Sequence, residues 1–246
     1  MNQVIPTLLE PARINNPKLV VFDLDGTLVD SVPDIAISAD EMLIRLGMAP
    51  YGEARIRQCI GYGGLQNLVE RLLTQEMHTE PDAELFDKAY SQFLDIYERQ
   101  NGEKSTLYSG ALAVLDYLAA EGIPLACITN KAARFTGALL EKLGIRHRFA
   151  IVLSGDSLPK KKPDPMPLFH VANYLGVDAA ESVLIGDSIL DIKAARAAGF
   201  YMIAVSHGYN DGLDICKAES KPDVVIDSLA ELAGVLGIDS NYLSTL

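Results

Sequence analysis

Four short stretches of the sequence combine carboxylates, a hydroxyl, an amide and an ammonium at spacings that suit phosphate chemistry. They are Asp23-Leu24-Asp25-Gly26-Thr27-Leu28, Thr129-Asn130, Lys160-Lys161-Lys162-Pro163-Asp164-Pro165, and Asp187-Ser188 with Asp191 four residues on. Asp23, Asp25 and Asp187 crowded together would repel unless a hard cation sat among them. An all-oxygen set suits Mg²⁺ better than Zn²⁺. The cation and Lys162 would neutralise a phosphate dianion, while the Thr129 hydroxyl and the Asn130 amide donate to its oxygens. One aspartate can then attack phosphorus while a neighbour gives a proton to the leaving oxygen.

Each residue also has an ordinary reading. Asp25-Gly26 is a common turn, and Thr129-Asn130 would cap a helix. Asp187 and Asp191 would complement a helix dipole, and Lys160 and Lys161 read as a solvated loop. Lys162 differs because Pro163 restricts its backbone to extended conformations. His78, His147, His170 and His207 follow no metal-ligand spacing. Cys59, Cys127 and Cys216 form no CxxC pair and read as reduced thiols.

The elements that must position these groups are legible as apolar runs. LVVFD (19–23), PLACIT (124–129), FAIVLS (149–154), SVLIG (182–186), YMIAVS (201–206) and DVVI (223–226) lack alternation, as strands buried on both faces do. Between them, helical patterns at 111–121, 132–143, 167–175 and 188–198 each stop at a glycine that supplies the left-handed end. This alternation predicts a three-layer, doubly wound parallel α/β sheet. Ligand sites in such sheets lie beyond the carboxyl ends of the strands, where the four stretches fall.

Residues 33–104 break the rhythm and show helical patterns at 33–46, 65–73 and 83–100. The last has Phe86, Tyr90, Phe93 and Tyr97 on one stripe, which reads as packing. The expected domains are an α/β core, residues 1–32 and 105–246, and an inserted all-helical cap, residues 33–104. The chain crosses between them at 28–33 and 102–108, the natural hinges. Gly61-Tyr62-Gly63-Gly64 is either a turn between cap helices or a backbone that closes over a small substrate.

The chain has 246 residues and a net charge of −12, which argues against nonspecific nucleic-acid or anionic-membrane binding. No run approaches the ~20 apolar residues of a membrane span, and prolines interrupt the first eighteen residues where a secretory signal needs a continuous apolar stretch. The first sixteen or so residues read as a loosely held arm. A cytoplasmic protein, monomer or homodimer, is expected.

The DxDGT of 23–27, Thr129, Lys162 and the GDxxxD of 186–191 together resemble the haloacid dehalogenase superfamily, in particular its Mg²⁺-dependent phosphatases. The resemblance spans nearly all of the chain after residue 18. It implies that Asp23 is the nucleophile and forms an aspartyl-phosphate, and that Asp25 is general acid and then base. The Asp23 carboxylate, the Asp25 carbonyl and Asp187 would hold Mg²⁺. Thr129 and Lys162 would hold phosphate, and Asp191 would orient Lys162 and metal-bound water, with Thr27 supporting the motif. Within the superfamily, DLDGTLVDSVPD, LVERLL and KPDPMPL are most similar to bacterial phosphoglycolate phosphatases, implying hydrolysis of 2-phosphoglycolate to glycolate. A phosphatase for another metabolite such as a sugar phosphate, a phosphosugar mutase, and a noncatalytic phosphate sensor share parts of the pattern. Arg55, Arg57, Gln66 and Arg71 are the candidates for reading the substrate's carboxylate from the cap.

Overall fold

The computed structural model describes residues 14, 16–61, 64–74, 80–209 and 214–237. Most of the arm expected before residue 17, Tyr62 and Gly63 of the glycine segment, and His78 lie outside these residues. Six parallel strands form the central sheet: β1 (Leu19–Phe22), β4 (Leu125–Ile128), β5 (Ile151–Leu153), β6 (Ser182–Gly186), β7 (Tyr201–Val205) and β8 (Val224–Ile226). Their order is β5-β4-β1-β6-β7-β8, so the first strand lies inside the sheet and the chain leaves it in both directions. Phe22 is level with Cys127 on one side and Ile185 on the other. Residues 23, 129 and 187 therefore emerge from the ends of three adjacent strands.

Alternate side chains of each strand feed opposite faces, as pleating requires. Val20, Phe22, Cys127, Val183 and Ile185 pack with α5 (Ala111–Ala120) and α6 (Ala133–Lys142). Leu19, Val21, Ala126, Ile128 and Leu184 face α7 (Met166–Leu175) and α8 (Ile189–Ala198). This is the expected three-layer arrangement. β5 is shorter than its apolar run: Ile151, Val152 and Leu153 pair with β4, and a 3₁₀ turn at Arg146–Arg148 precedes the run.

Between β1 and β4 the chain builds a helical block: α1 (Val32–Arg45), α2 (Glu53–Cys59), α3 (Gly64–Thr74) and α4 (Ala83–Gln100). Val32, Ile35, Ala36, Ala39, Met42 and Leu43 form the buried stripe of α1, which packs on Phe93, Ile96 and Tyr97 of α4. Asp82 starts α4 by accepting from the Leu85 amide at 3.0 Å. Phe135 and Tyr209, from the sheet's side of the molecule, complete the same apolar cluster and seat the block on it. α2 is absent from the sequence reading because Ile56 is its one buried residue, too little to create a period.

The two crossings expected as hinges lie side by side. β2 (Val29–Asp30) and β3 (Thr106–Leu107) pair antiparallel, Val29 opposite Leu107. Asp34, fully buried on the first turn of α1, fastens them: its carboxylate accepts from the amides of Gly102 at 2.8 Å, Lys104 at 2.7 Å and Ser105 at 3.0 Å, and from the Ser105 hydroxyl. Removing it strands several donors away from water, each at a cost of about 1–3 kcal/mol. Asp34→Ala should therefore lower unfolding free energy by about 3 kcal/mol in urea titrations, with Asp34→Asn losing less because one acceptor oxygen remains. Equal stability of Asp34→Ala and the parent would show that the clasp carries no weight.

Candidate active site

Asp23 is the first residue beyond β1. Its amide donates to the Ile185 carbonyl at 2.9 Å, keeping it in line with the sheet. The chain then turns back on itself: the amides of Leu28 and Val29 donate to the Leu24 carbonyl, both at 3.0 Å. Asp23 Oδ1 accepts from the Leu24 amide at 2.7 Å and lies 2.9 Å from Lys162 Nζ. Its Oδ2 has no partner among the described residues.

Lys162 reaches this point from the loop after β5. Its ammonium is buried and gives its three hydrogens to the Ile128 carbonyl (2.9 Å), Asp191 Oδ1 (2.6 Å) and Asp23 Oδ1 (2.9 Å). Burial alone would favour the neutral amine, but Asp191 and Asp23 more than offset it and its pKa rises. Asp191 serves both the start of α8 and Lys162. It closes a capping box with Ser188 at the start of α8, Oδ2 accepting from the Ser188 hydroxyl at 2.6 Å, and it holds Lys162 with Oδ1.

Asp187 follows β6. Oδ1 accepts from the Thr27 hydroxyl at 2.8 Å and Oδ2 from the Tyr209 amide at 2.6 Å. The backbone closes tightly around it. A Cβ at Gly208 would stand 2.1 Å from the Asp187 Cβ, and one at Gly26, where φ is +88°, would stand 2.4 Å from Oδ2. Asp23, Asp187 and Asp191 each bring one carboxylate oxygen to within 4.8 Å of the others. Burial pushes the Asp23 carboxyl up to about 7 against the pull of Lys162, and it pushes Asp187 well above the ordinary range. With Asp191 committed to Lys162 and Ser188, the oxygens that can accept a further cation belong to Asp23 and Asp187. A donor set made wholly of oxygen fits a hard divalent ion.

Thr129, beyond β4, is buried and its hydroxyl oxygen accepts from the Lys131 amide at 3.1 Å. Its proton remains to be given. The Asn130 side-chain amide donates one hydrogen to the Lys162 carbonyl at 2.8 Å and so fixes the lysine loop, and the residue also lines the cavity over the strand ends. Asp25 is partly exposed, and its Oδ1 meets Lys131 Nζ at 3.0 Å. Lys131 is buried, and its ammonium also donates to the Tyr97 hydroxyl of α4.

These groups floor a cleft of about 310 Å³ roofed by Gly61, Leu65, Gln66, Tyr90 and Leu94 of the helical block. Of the four residues expected to read a substrate from that side, Gln66 lines the cleft. Arg57 is spent on Asp30 through two bonds of 3.1 and 3.0 Å and on Glu53, Arg55 lies on the Tyr51 ring, and Arg71 donates to the Cys59 carbonyl. The described histidines are scattered: His147 and His170 are exposed, and the His207 ring lies tilted against Tyr108. The three cysteines are unpaired.

Lys131, Tyr97 and Tyr209 are the site residues that the sequence reading missed. Lys131 carried one usable signal, a cation in the loop directly after a strand end that already bears Thr129 and Asn130. Tyr97 belongs to the packing stripe of its helix, and its ring does pack on Phe93 and Phe135; its hydroxyl has a second task. Tyr209 gave no local sign, because its partners Asp30 and Ser31 lie far away in sequence (Asp30 Oδ1 at 2.7 Å, the Ser31 amide at 2.9 Å).

Comparison with known proteins agrees with this geometry. Residues 20–205 match the family model described as haloacid dehalogenase-like hydrolase. A protein named phosphoglycolate phosphatase from Nitrosococcus oceani is 46% identical over 91% of this chain and 98% of its own. Another of that name from Chromobacterium violaceum is 41% identical over 89% and 96%. The crystal structure of a predicted phosphoglycolate phosphatase from Haemophilus somnus superposes with a TM-score of 0.82 at 33% identity, covering 90% of this chain and 98% of that one. The order of the motifs, the sheet that carries them and these matches agree: the chain belongs to the haloacid dehalogenase-like hydrolases.

Proposed function

We propose that this protein hydrolyses 2-phosphoglycolate to glycolate and phosphate through a phosphoryl group carried on Asp23. The observation that carries the reading is the convergence of Asp23, Asp25 and Lys162 on the floor of one cleft, with no partner for Asp23 Oδ2 among the described residues. Asp23 attacks phosphorus, the ester P–O bond breaks, and Asp25 gives a proton to the departing oxygen. Asp25 then takes a proton from the water that attacks the same phosphorus, releasing phosphate and restoring the Asp23 carboxylate. Thr129 donates to the phosphoryl oxygens while charge moves, and Lys162, its hydrogens taken up by Ile128, Asp191 and Asp23, holds them by its fixed positive charge. Mg²⁺ held by Asp23, the Asp25 carbonyl and Asp187 would neutralise phosphate charge in the reaction.

The helical block acts as a cap, residues 33–104, over a core of 1–32 and 105–246, and keeps bulk water from the acyl phosphate. Thr27 holds Asp187 in place, and Asp191 holds Lys162. The choice of 2-phosphoglycolate rests on the names of relatives that are 41% and 46% identical over nearly the whole chain. Among the described residues no helix is long and apolar enough to cross a membrane. The three unpaired cysteines fit the reducing cytoplasm.

Asp23→Asn should keep the parent's melting temperature and lose at least about a thousandfold in kcat, since the attacking oxygen is gone. Near-normal turnover of that variant would end the covalent mechanism. Phosphate release should depend on Mg²⁺, stop with chelator, and favour 2-phosphoglycolate over sugar phosphates and nucleotides. Flat, weak rates across that panel would leave the phosphatase chemistry and remove the substrate.

A further inference from the structure

Lys162 has all three ammonium hydrogens bound to the chain. Lys131 does not. Among the described residues its Nζ donates to Asp25 Oδ1 and to the Tyr97 hydroxyl, which leaves one hydrogen of three. Its side chain is 3% exposed, so water does little to satisfy that hydrogen, and the residue lines the cleft. A buried ammonium with a spare donor beside a ligand cavity is a site for an anion or an acceptor oxygen.

Its place in the cleft narrows the ligand. Asp25 serves the leaving oxygen, and Lys131 Nζ stands 3.0 Å from Asp25 on the side of α4. Whatever the leaving group carries next to its ester oxygen must pass this ammonium. In 2-phosphoglycolate the carboxyl carbon is two bonds from that oxygen. The other cations at the cleft are poorer candidates: Arg134 is 43% exposed and paired with Glu98 at 2.7 Å, and Lys161 is an exposed loop residue.

We propose that Lys131, aimed by the Tyr97 hydroxyl, is the specificity residue of this site and binds a carboxylate on the leaving group. This assignment rests on the reading of the protein as a phosphatase of small acidic phosphomonoesters. Specificity then comes from the floor of the cleft, with the helical block contributing through Tyr97. Tyr97 is a positioning residue: seated between Phe93 and Phe135, it places one oxygen against the ammonium of another layer.

The test compares kcat/KM for 2-phosphoglycolate and for 2-hydroxyethyl phosphate, which replaces the carboxylate with an alcohol, in the parent, Lys131→Met and Tyr97→Phe. Any change that Lys131→Met imposes through Asp25 strikes both substrates and cancels in the ratio. The parent should prefer the carboxylate. Lys131→Met should reduce that preference about tenfold to a hundredfold, the worth of a hydrogen bond between charged groups. Tyr97→Phe should reduce it several-fold, with the loss in KM for 2-phosphoglycolate and little change in kcat. If Lys131→Met does not fold, Tyr97→Phe alone decides by the same ratio. An unchanged ratio in a variant of a selective parent would overturn the assignment and leave the phosphoglycolate reading intact. A parent with no preference would overturn the substrate reading itself, and this assignment with it.

Discussion

Three buried carboxylates share one small volume at the ends of adjacent strands, with one buried ammonium among them. Like charges at this distance in a poorly hydrated space repel strongly. Lys162 holds two of the three, Asp23 and Asp191, and the helix start at Ser188 absorbs the remaining oxygen of Asp191. Asp187 depends on Thr27 and on the Tyr209 amide. The sheet order makes this congestion possible, since β4, β1 and β6 deliver Thr129, Asp23 and Asp187 side by side. Burial raises the pKa values of Asp23 and Asp187, and neighbouring carboxylates add to the shift. A divalent cation held between these carboxylates would favour their charged forms.

The helical block reaches this charge cluster at two points. Tyr97 descends from α4 to Lys131, which holds Asp25. At the other side Arg57 of α2 grips Asp30 of β2, and the Tyr209 hydroxyl joins the same carboxylate while its amide holds Asp187. Each path crosses from the block to a carboxylate of the site through two or three hydrogen bonds. Asp34 fixes the ribbon between them. The block is therefore keyed to the catalytic floor by polar contacts of defined geometry, and Phe135 and Tyr209 add an apolar seat.

What the sequence disclosed and what it withheld follow from range. Apolar runs that stop at Asp23, Thr129 and Asp187 are local patterns, and they identify both the strands and the ends where chemistry collects. Glycines after α7 and α8 mark helix ends for the same reason. Lys131 and Asp25 are 106 residues apart, and Tyr209 and Asp30 are 179 apart, so nothing within a window of either reveals the pair. Arg57 shows the opposite error. A charged residue near a glycine segment looks available to a substrate until the fold shows Asp30 occupying it. Asn130 is expected at phosphate by type and place, and its bond to the Lys162 carbonyl, 32 residues on, is a contact no local window reveals. β2 and β3 are two residues each, below any periodicity, although the crossing they form was legible as the point where the chain passes twice.

The two buried lysines divide the work of the site between the two halves of the substrate. Lys162 stands on the Asp23 side, where the phosphoryl group is received, and its three bonds make it a fixed charge with little freedom to follow a ligand. Lys131 stands on the Asp25 side, where the leaving group departs, with fewer bonds and a neighbour from the helical block. A chain with a net charge of −12 repels an anionic substrate at long range, but at physiological ionic strength that field fades beyond roughly 8 Å. Inside the cleft the local arrangement decides, and there each reactive aspartate is matched by its own ammonium. The pairing lets carboxylates that would otherwise exclude anions face a phosphate at one end of the cleft and an acidic leaving group at the other.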